Sequence, residues 1–579
     1  MHSIKGMAAG LFLVTLFYAY SCSAQDAPSR TQPDSSSASP PPSEPIVSQA
    51  SRKDTAAASD SGDTMLRIRG FKIMGNTLLS TETLERVLEP FKGDGKSYTD
   101  IQRALEAIEG AYRKAGYSAV YVVTPEQDVT NGIVIFQVNE SVIGKVSVQG
   151  NLYFDEQNIR NALPALKEGT TPSARKLSED VRLANENPSR HLGVVLSESG
   201  EENRIDATVN VRDTPSQKFF VTLNNTGNSS TGMYRIGVGY QHNNLFNRDQ
   251  AATLSYTTSP GYLSHVRQIA GSYRIPLYTL GDSVDLIAAH SSIDAGTTNT
   301  IAGLLSFSGQ GDVFDVRYNH YLPQAGEYSA KIIYGLDYRA YANNCSLGNF
   351  GAAGCGAAAY PVTVHPLSLG YDGTLRRPAF SANINVTLSH NIPGGSNGSQ
   401  ADFDLVRPSP TGGAGAPANY TILRFAGSML GALPRGLQYR VALSGQYTPD
   451  ALVSGEGFGL VGANAVRGFL EREISTDKGG VLNLELYSPE LAGKLNSENG
   501  SSLRLLAFLD AGRGWNVPLA GEASNTQRVA STGVGIRYLH SKSLTIGLDF
   551  ARVIDSSGTA NNVGKTGHER LQLSAMQIW

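Results

Sequence analysis

From Asp213 to the carboxy terminus at Trp579 the chain alternates apolar and polar residues with a period of two. Nowhere beyond the amino terminus does it hold the roughly 18 to 20 consecutive apolar residues that a spanning helix needs. Ala382, Ile384, Val386 and Leu388 alternate with Asn383, Asn385, Thr387 and Ser389, and Leu544, Ile546, Leu548 and Phe550 alternate with Thr545, Gly547 and Asp549. Such strands present one face to lipid and the other to a wet interior. Lipid leaves no backbone polar group unpaired, so they can cross a membrane only as a closed barrel.

About sixteen segments of this kind follow one another, from one near Phe219 to one near Leu573, and the number is even as single-chain barrels require. Short connections at 323–326 and 540–543 alternate with long ones at 343–360, 392–419, 454–478 and 555–568. Short turns belong in the periplasm and long loops outside. A 16-stranded antiparallel transmembrane β-barrel over 215–579 is therefore expected, in the outer membrane of a Gram-negative bacterium.

The amino terminus supports export. Lys5 precedes an apolar run at 7–19, and small residues follow to a cleavage site expected after Ala24, so 1–24 reads as a signal peptide. Residues 25–64 are rich in Ser, Pro and Ala and too poor in large apolar residues to build a core, as in a mobile linker; a weak helix near 46–58 is the one stretch that could plug a barrel.

Between linker and barrel the order strand, helix, helix, strand, strand occurs twice, over 65–141 and 142–214. Ser80 is an N-cap for a first helix at 81–91. Ile101, Leu105, Ile108 and Tyr112 form the apolar face of a second helix, which Gly116 closes. Gly75-Asn76 and Gly150-Asn151 mark equivalent turns, an internal repeat with a period of about 75 residues. A short sheet with an open edge beside an amphipathic helix can accept an extended chain as an added strand.

Inside the 454–478 connection lies Val466-Arg467-Gly468-Phe469, where an arginine in an apolar setting is costly unless a carboxylate and further acceptors satisfy it. The best partner is in Phe508-Leu509-Asp510-Ala511-Gly512, an acid inside an otherwise apolar strand. Leu503, Leu505, Ala507, Leu509 and Ala511 share the apolar face, so Arg504, Phe508 and Asp510 face the lumen. Glu485 on the neighbouring strand is a second acceptor. Cys345 and Cys355 sit in one long loop on the oxidising side of the inner membrane, and a disulfide between them is expected.

These two motifs, in this order and on this background, resemble the large loop and adjoining strand of two-partner secretion transporters, the haemolysin secretion/activation proteins of the POTRA-plus-barrel outer-membrane superfamily. Phe469 stands where that family more often has Tyr. The repeated modules resemble POTRA domains, and Asn187-Pro188-Ser189-Arg190 is similar to the family's second module. The resemblance implies a pore that receives an unfolded exoprotein in the periplasm and conducts it to the surface, with the 454–478 loop folded into the lumen and Arg467 locked to Asp510. The implied partners are that secreted client, outer-membrane lipid and, through the terminal aromatic Trp579, the barrel-assembly machinery. An assembly factor for other barrels would share the same lock, and a passive porin with periplasmic spacers is a further alternative.

No catalytic or cofactor motif survives inspection. Gly457-Phe458-Gly459-Leu460-Val461-Gly462 has no βαβ unit around it, Gly394-Gly395-Ser396-Asn397-Gly398 lacks a nucleophile elbow, and Ser173 of Ser173-Ala174-Arg175-Lys176 more simply caps a helix. No Cys/His cluster has metal-ligand spacing, and a formal net charge of −3 with 17% charged residues gives no footprint for nucleic acid. Neither an enzyme nor a cofactor or metal is expected.

Overall fold

The computed structural model describes residues 65–579 apart from 130, 230, 293–295, 301–302, 308–309, 343–359, 493–499, 542 and 558–563; at 13–17, 296–300 and 303–307 it describes the backbone alone. The leader's cleavage site, the linker with its helix near 46–58, and the Cys345–Cys355 disulfide lie outside the described residues.

Each periplasmic module is a three-stranded sheet covered by helices. In the first, Ile133–Glu140 is central, parallel to Gly70–Met74 and antiparallel to Val120–Val123. In the second, Arg204–Asp213 is central between Val142–Gln149 and Arg190–Glu198 in the same senses. The long helix Tyr98–Ala115 buries Ile101, Ala104, Ile108 and Tyr112 and ends where Gly116 turns left-handed at φ 98°. The expected first strand is broken in two, because the N–H groups of Arg69 and Gly70 both turn to the carbonyl of Gly132. Its first half, Leu66–Ile68, pairs instead with Gly93–Lys96, a strand whose glycines conceal it in the sequence.

The repeat has a physical basis at its turns. Gly75 and Gly150 both adopt φ 82°, and a Cβ on either would lie within about 2.5 Å of a carbonyl on the central strand. The amide of the following Asn bonds the carbonyl of Leu79 or Phe154. An acid at the end of each central strand then holds the turn. Glu140 accepts from the N–H groups of Thr77 and Leu78, and Asp213 from those of Leu152, Tyr153 and Phe154.

Sixteen strands close the barrel: β1 (Gln217–Asn224), β2 (Arg235–Leu245), β3 (Gln250–Thr258), β4 (Gln268–Leu277), β5 (Asp282–Ser291), β6 (Gly311–Tyr321), β7 (Tyr328–Tyr341), β8 (Val362–Val364 continuing as Pro366–Arg377), β9 (Phe380–Asn391), β10 (Thr421–Ala432), β11 (Gln438–Tyr447), β12 (Lys478–Tyr487), β13 (Ser502–Trp515), β14 (Thr526–His540), β15 (Leu544–Asp555) and β16 (Glu569–Ile578). All neighbours are antiparallel, and β1 pairs with β16 from Phe220 opposite Ile578 to Asn224 opposite Ser574. Leu482, Leu484, Leu486, Leu505, Leu509 and Phe550 are exposed on the outer face, while the residues between them point inward. Module two sits against the short-turn end, where Arg182 donates to the carbonyl of Leu322 and Asn158 contacts Asn244 and Asn247. That end is periplasmic.

Candidate functional site: a loop clamped inside the barrel

The connection between β11 and β12 does not leave the barrel. It pairs Phe458–Gly459 with Ser475–Thr476 as a narrow stem, and its apolar residues form a cluster with the inner wall. Phe458, Leu460, Val461, Val466 and Phe469 pack there with Val481, Val529 and Val553 of β12, β14 and β15. This cluster places the tip. Gly468 adopts φ 96° with the side chain of Val553 3.2 Å from where its Cβ would stand, and a Cβ on Gly512 would lie 3.0 Å from Val466. Phe469 is 1% exposed in this apolar cluster.

With the backbone fixed, Arg467 is aimed at the wall. Its Nε and Nη2 donate to Asp510 Oδ2 and Oδ1 at 2.7 and 2.8 Å, and its own N–H donates to Oδ2 at 3.2 Å. A fork meeting a carboxylate on two bonds fixes direction as well as charge. Nη1 lies 2.9 Å from Glu485 Oε1 and 3.4 Å from Asp549 Oδ2, and the guanidinium carbon is 3.6 Å from the Phe508 ring centre. Arg467 is 3% exposed and Asp510 is fully buried.

One cation thus faces three acids, and the surplus is balanced locally. Glu485 also meets Arg440 Nη1 at 3.2 Å and Tyr487 Oη at 2.7 Å, while Arg537 holds Asp549 with bonds of 2.7 and 2.9 Å. Among the described residues Asp510 alone of the three has no second cation; its other good donor is Asn483 Nδ2 at 2.8 Å. The named sequence candidates Val466, Arg467, Gly468, Phe469, Glu485, Phe508, Asp510 and Gly512 therefore meet in one place. Asp549, Arg440, Arg537 and Asn483 were missed. Asp549 had a visible signal, since it lies between Leu548 and Phe550 on the polar face of an alternating strand.

The neck of the loop was missed as well. Glu456, fully buried, accepts from Arg339 Nη1 at 3.0 Å, Arg424 Nη2 at 2.7 Å and Tyr341 Oη at 2.7 Å, tying one side of the neck to β7 and β10. The Gln446 amide donates to the carbonyls of both Glu456 and Asp477, at 2.7 and 2.9 Å, and so clasps the two sides together. Beneath the tip a cavity of about 1210 Å3 runs toward module two, bounded by Asn464 and Arg467 at one end and by Ser178, Arg182 and Gln324 at the other.

Comparison with known proteins decides the family. The sequence model of the haemolysin secretion/activation protein ShlB/FhaC/HecB family matches residues 204–538, and that of the ShlB-type POTRA domain matches 66–141. The chain belongs to this family of two-partner secretion transporters. It is 21% identical over 527 residues to the heme/hemopexin transporter protein HuxB of Haemophilus influenzae, covering 87% of this chain and 85% of that one. To the outer membrane transporter CdiB of Dickeya dadantii it is 21% identical over 428 residues, 72% of each chain. The solved structure of CdiB from Escherichia coli shares the fold, with a TM-score of 0.66, 16% identity, and 93% and 94% of the two chains covered. The transporter accordingly lies in the outer membrane, with its modules in the periplasm.

Proposed function

We propose that the transporter takes an unfolded exoprotein on its periplasmic modules and passes it through a barrel whose resting state is shut by the 454–478 loop. The observation that carries this reading is the combination of a lumen cavity that extends to module two with a loop tip clamped by Arg467 on Asp510. Capture is assigned to the edge strand Gly70–Met74 of the first module, where Met74 is exposed; on the opposite edge, Val120–Val123, the Val122 N–H is already bonded to Glu109 at 3.1 Å. Backbone hydrogen bonds along an edge supply affinity with little side-chain specificity, as a moving client requires. Release outside lets the client fold, which draws it outward without a nucleotide.

The test deletes residues 65–138 and follows both partners. The expected result is a barrel still inserted in the outer membrane, with one exoprotein stranded in the periplasm. Normal secretion by the truncated protein would remove the capture role, and a general loss of outer-membrane proteins on deleting the whole chain would point to barrel assembly instead.

A further inference from the structure

The lumen holds a second obstruction. The connection between β9 and β10 carries a helix, Gln400–Val406, capped by Ser399, whose Phe403 and Val406 are buried with Ala416, Ala418 and Tyr420 of the same connection. These pack against Ile287, Ala289, Val313 and Val364 on the inner wall and against Leu452 and Val453 at the entrance to the 454–478 loop. The outer mouth is thereby filled from within the wall, above the clamped tip. Two separate segments must move before a chain can leave.

One carboxylate joins them. Asp477, at the far side of the loop neck and 4% exposed, accepts from Arg407 Nη1 at 2.6 Å and the Leu452 N–H at 3.2 Å on Oδ1, and from the Val517 N–H at 2.7 Å on Oδ2. Arg407 ends the helix of the outer cap. It also donates to the carbonyls of Leu452 at 2.5 Å and Val517 at 3.1 Å, and its Nη2 lies 3.5 Å from Glu522 in the β13–β14 connection. The ion pair therefore gathers the cap, both sides of the loop neck and a third outer loop around a buried charge.

We propose that Arg407 and Asp477 are positioning residues that couple the outer cap to the inner loop, so that releasing either one loosens the other. If the cap leaves alone, Asp477 loses its cation in a buried setting. If the neck is pulled out alone, Arg407 keeps only carbonyls and Glu522. The first separation strands Asp477 and the second leaves Arg407 the longer pair with Glu522 at 3.5 Å, whereas a joint movement keeps the Arg407–Asp477 pair intact. Coupling through such a pair is reciprocal: a perturbation of the cap must appear in the loop by the same factor as the converse. The inference rests on the gating role given to the loop.

The test is hydrogen exchange on the full-length protein in lipid, read by mass at 400–406 and at 458–469. Phe403→Ala loosens the cap and leaves residues 458–469 and the Arg407–Asp477 pair unsubstituted, and Phe403→Leu is the milder form should the first fail to fold. The expected result is faster exchange in both segments, by about 5-fold or more in the loop, and loss of the loop effect when Arg407→Ala is added. Arg407→Lys, which keeps the charge, should restore part of it. Unchanged loop exchange after Phe403→Ala, or an equal rise in the Arg407→Ala background, would overturn the coupling. Arg467→Ala gives the converse direction; if it failed to speed exchange in the loop itself, the tip lock would fall while the joint stood on the Phe403 result.

Discussion

Arg467 and Asp510 are unequal partners, and the inequality can be measured. Arg467→Ala leaves Asp510 buried with Asn483, the loop backbone and Ser531 as its donors among the described residues, while Glu485 keeps Arg440 and Asp549 keeps Arg537. Stranding one member of a buried pair costs about 3 to 5 kcal/mol. Asp510→Ala leaves Arg467 with Glu485 at 2.9 Å, Asp549 at 3.4 Å and the face of Phe508, so it forfeits charged hydrogen bonds worth about 1 to 3 kcal/mol without stranding the cation. Since each 1.4 kcal/mol or so is a factor of ten, Arg467→Ala should populate the displaced loop roughly ten to a hundred times more than Asp510→Ala. The double variant should fall below the sum of the two, because the second change removes a charge already unpaired. Single-channel recordings of the purified protein in planar bilayers read the open fraction, and secretion of the client reads the outcome, with heat-dependent gel mobility confirming a folded barrel. Equal effects of the two substitutions, or additivity in the double variant, would refute the reasoning.

Other consequences follow from the same geometry. Gly468→Ala should weaken loop docking by about 1 to 2 kcal/mol, because a residue with Cβ resists φ 96° and would press on Val553; faster exchange at 458–469 is the readout. Arg190 joins module two to the barrel by bonds of 2.6 and 3.0 Å to Asp249, and Arg190→Ala should cost about 3 to 5 kcal/mol, seen as separate melting of the module. Burial pushes the Asp180 carboxyl up to about 6, against the N–H of Ala165 that favours its charge, so the folded module holds this proton more tightly than the unfolded chain. Stability should fall as pH rises from about 4 to about 6, and Asp180→Asn should stabilise module two above that window by about 1 kcal/mol, once water near the group is allowed for. Glu140 behaves oppositely. Its burial is outweighed by donors from Thr77, Leu78 and Tyr112 that hold it below the usual range, so the stability it lends is lost only as pH falls below about 4.5. Thermal unfolding across pH separates the two.

Most of the fold was legible because it rests on local periodicity. All sixteen barrel strands fall where alternating segments were counted, since a strand with lipid on one side and lumen on the other must alternate. The strand at Gly93–Lys96 was not legible: its pattern of Gly93, Asp94, Gly95 and Lys96 is that of a turn, and only pairing with Leu66–Ile68 makes it a strand. At the site, Asp510 could be proposed because strand parity put it indoors on an apolar background. Glu456 and Asp477 could not, because they flank the loop at points where no period applies, and their partners Arg339, Arg424 and Arg407 come from other strands and loops. Parity reports which way a side chain points; it carries nothing about which distant side chain it meets.

The joints above and below the barrel's inner end constrain where motion can occur. Between the modules, the Ala174 N–H at the start of one helix donates to the carbonyl of Gly116 at the end of another, and a Cβ on Gly116 would lie 3.2 Å from Ser173 Oγ. Between module two and the barrel, Arg190, Asp249, Tyr278 and Asn158 form a buried network, with Ser189 Oγ and Asn187 Nδ2 bonded to Asn243 and its carbonyl. Swinging module two against the barrel would unpair the buried Arg190 and Asp249, just as displacing the loop tip or the cap would unpair Arg467 from Asp510 or Arg407 from Asp477. A client seated on the modules can favour the open state only if its leading segment enters the cavity beneath Arg467 and contacts the displaced loop better than the docked one.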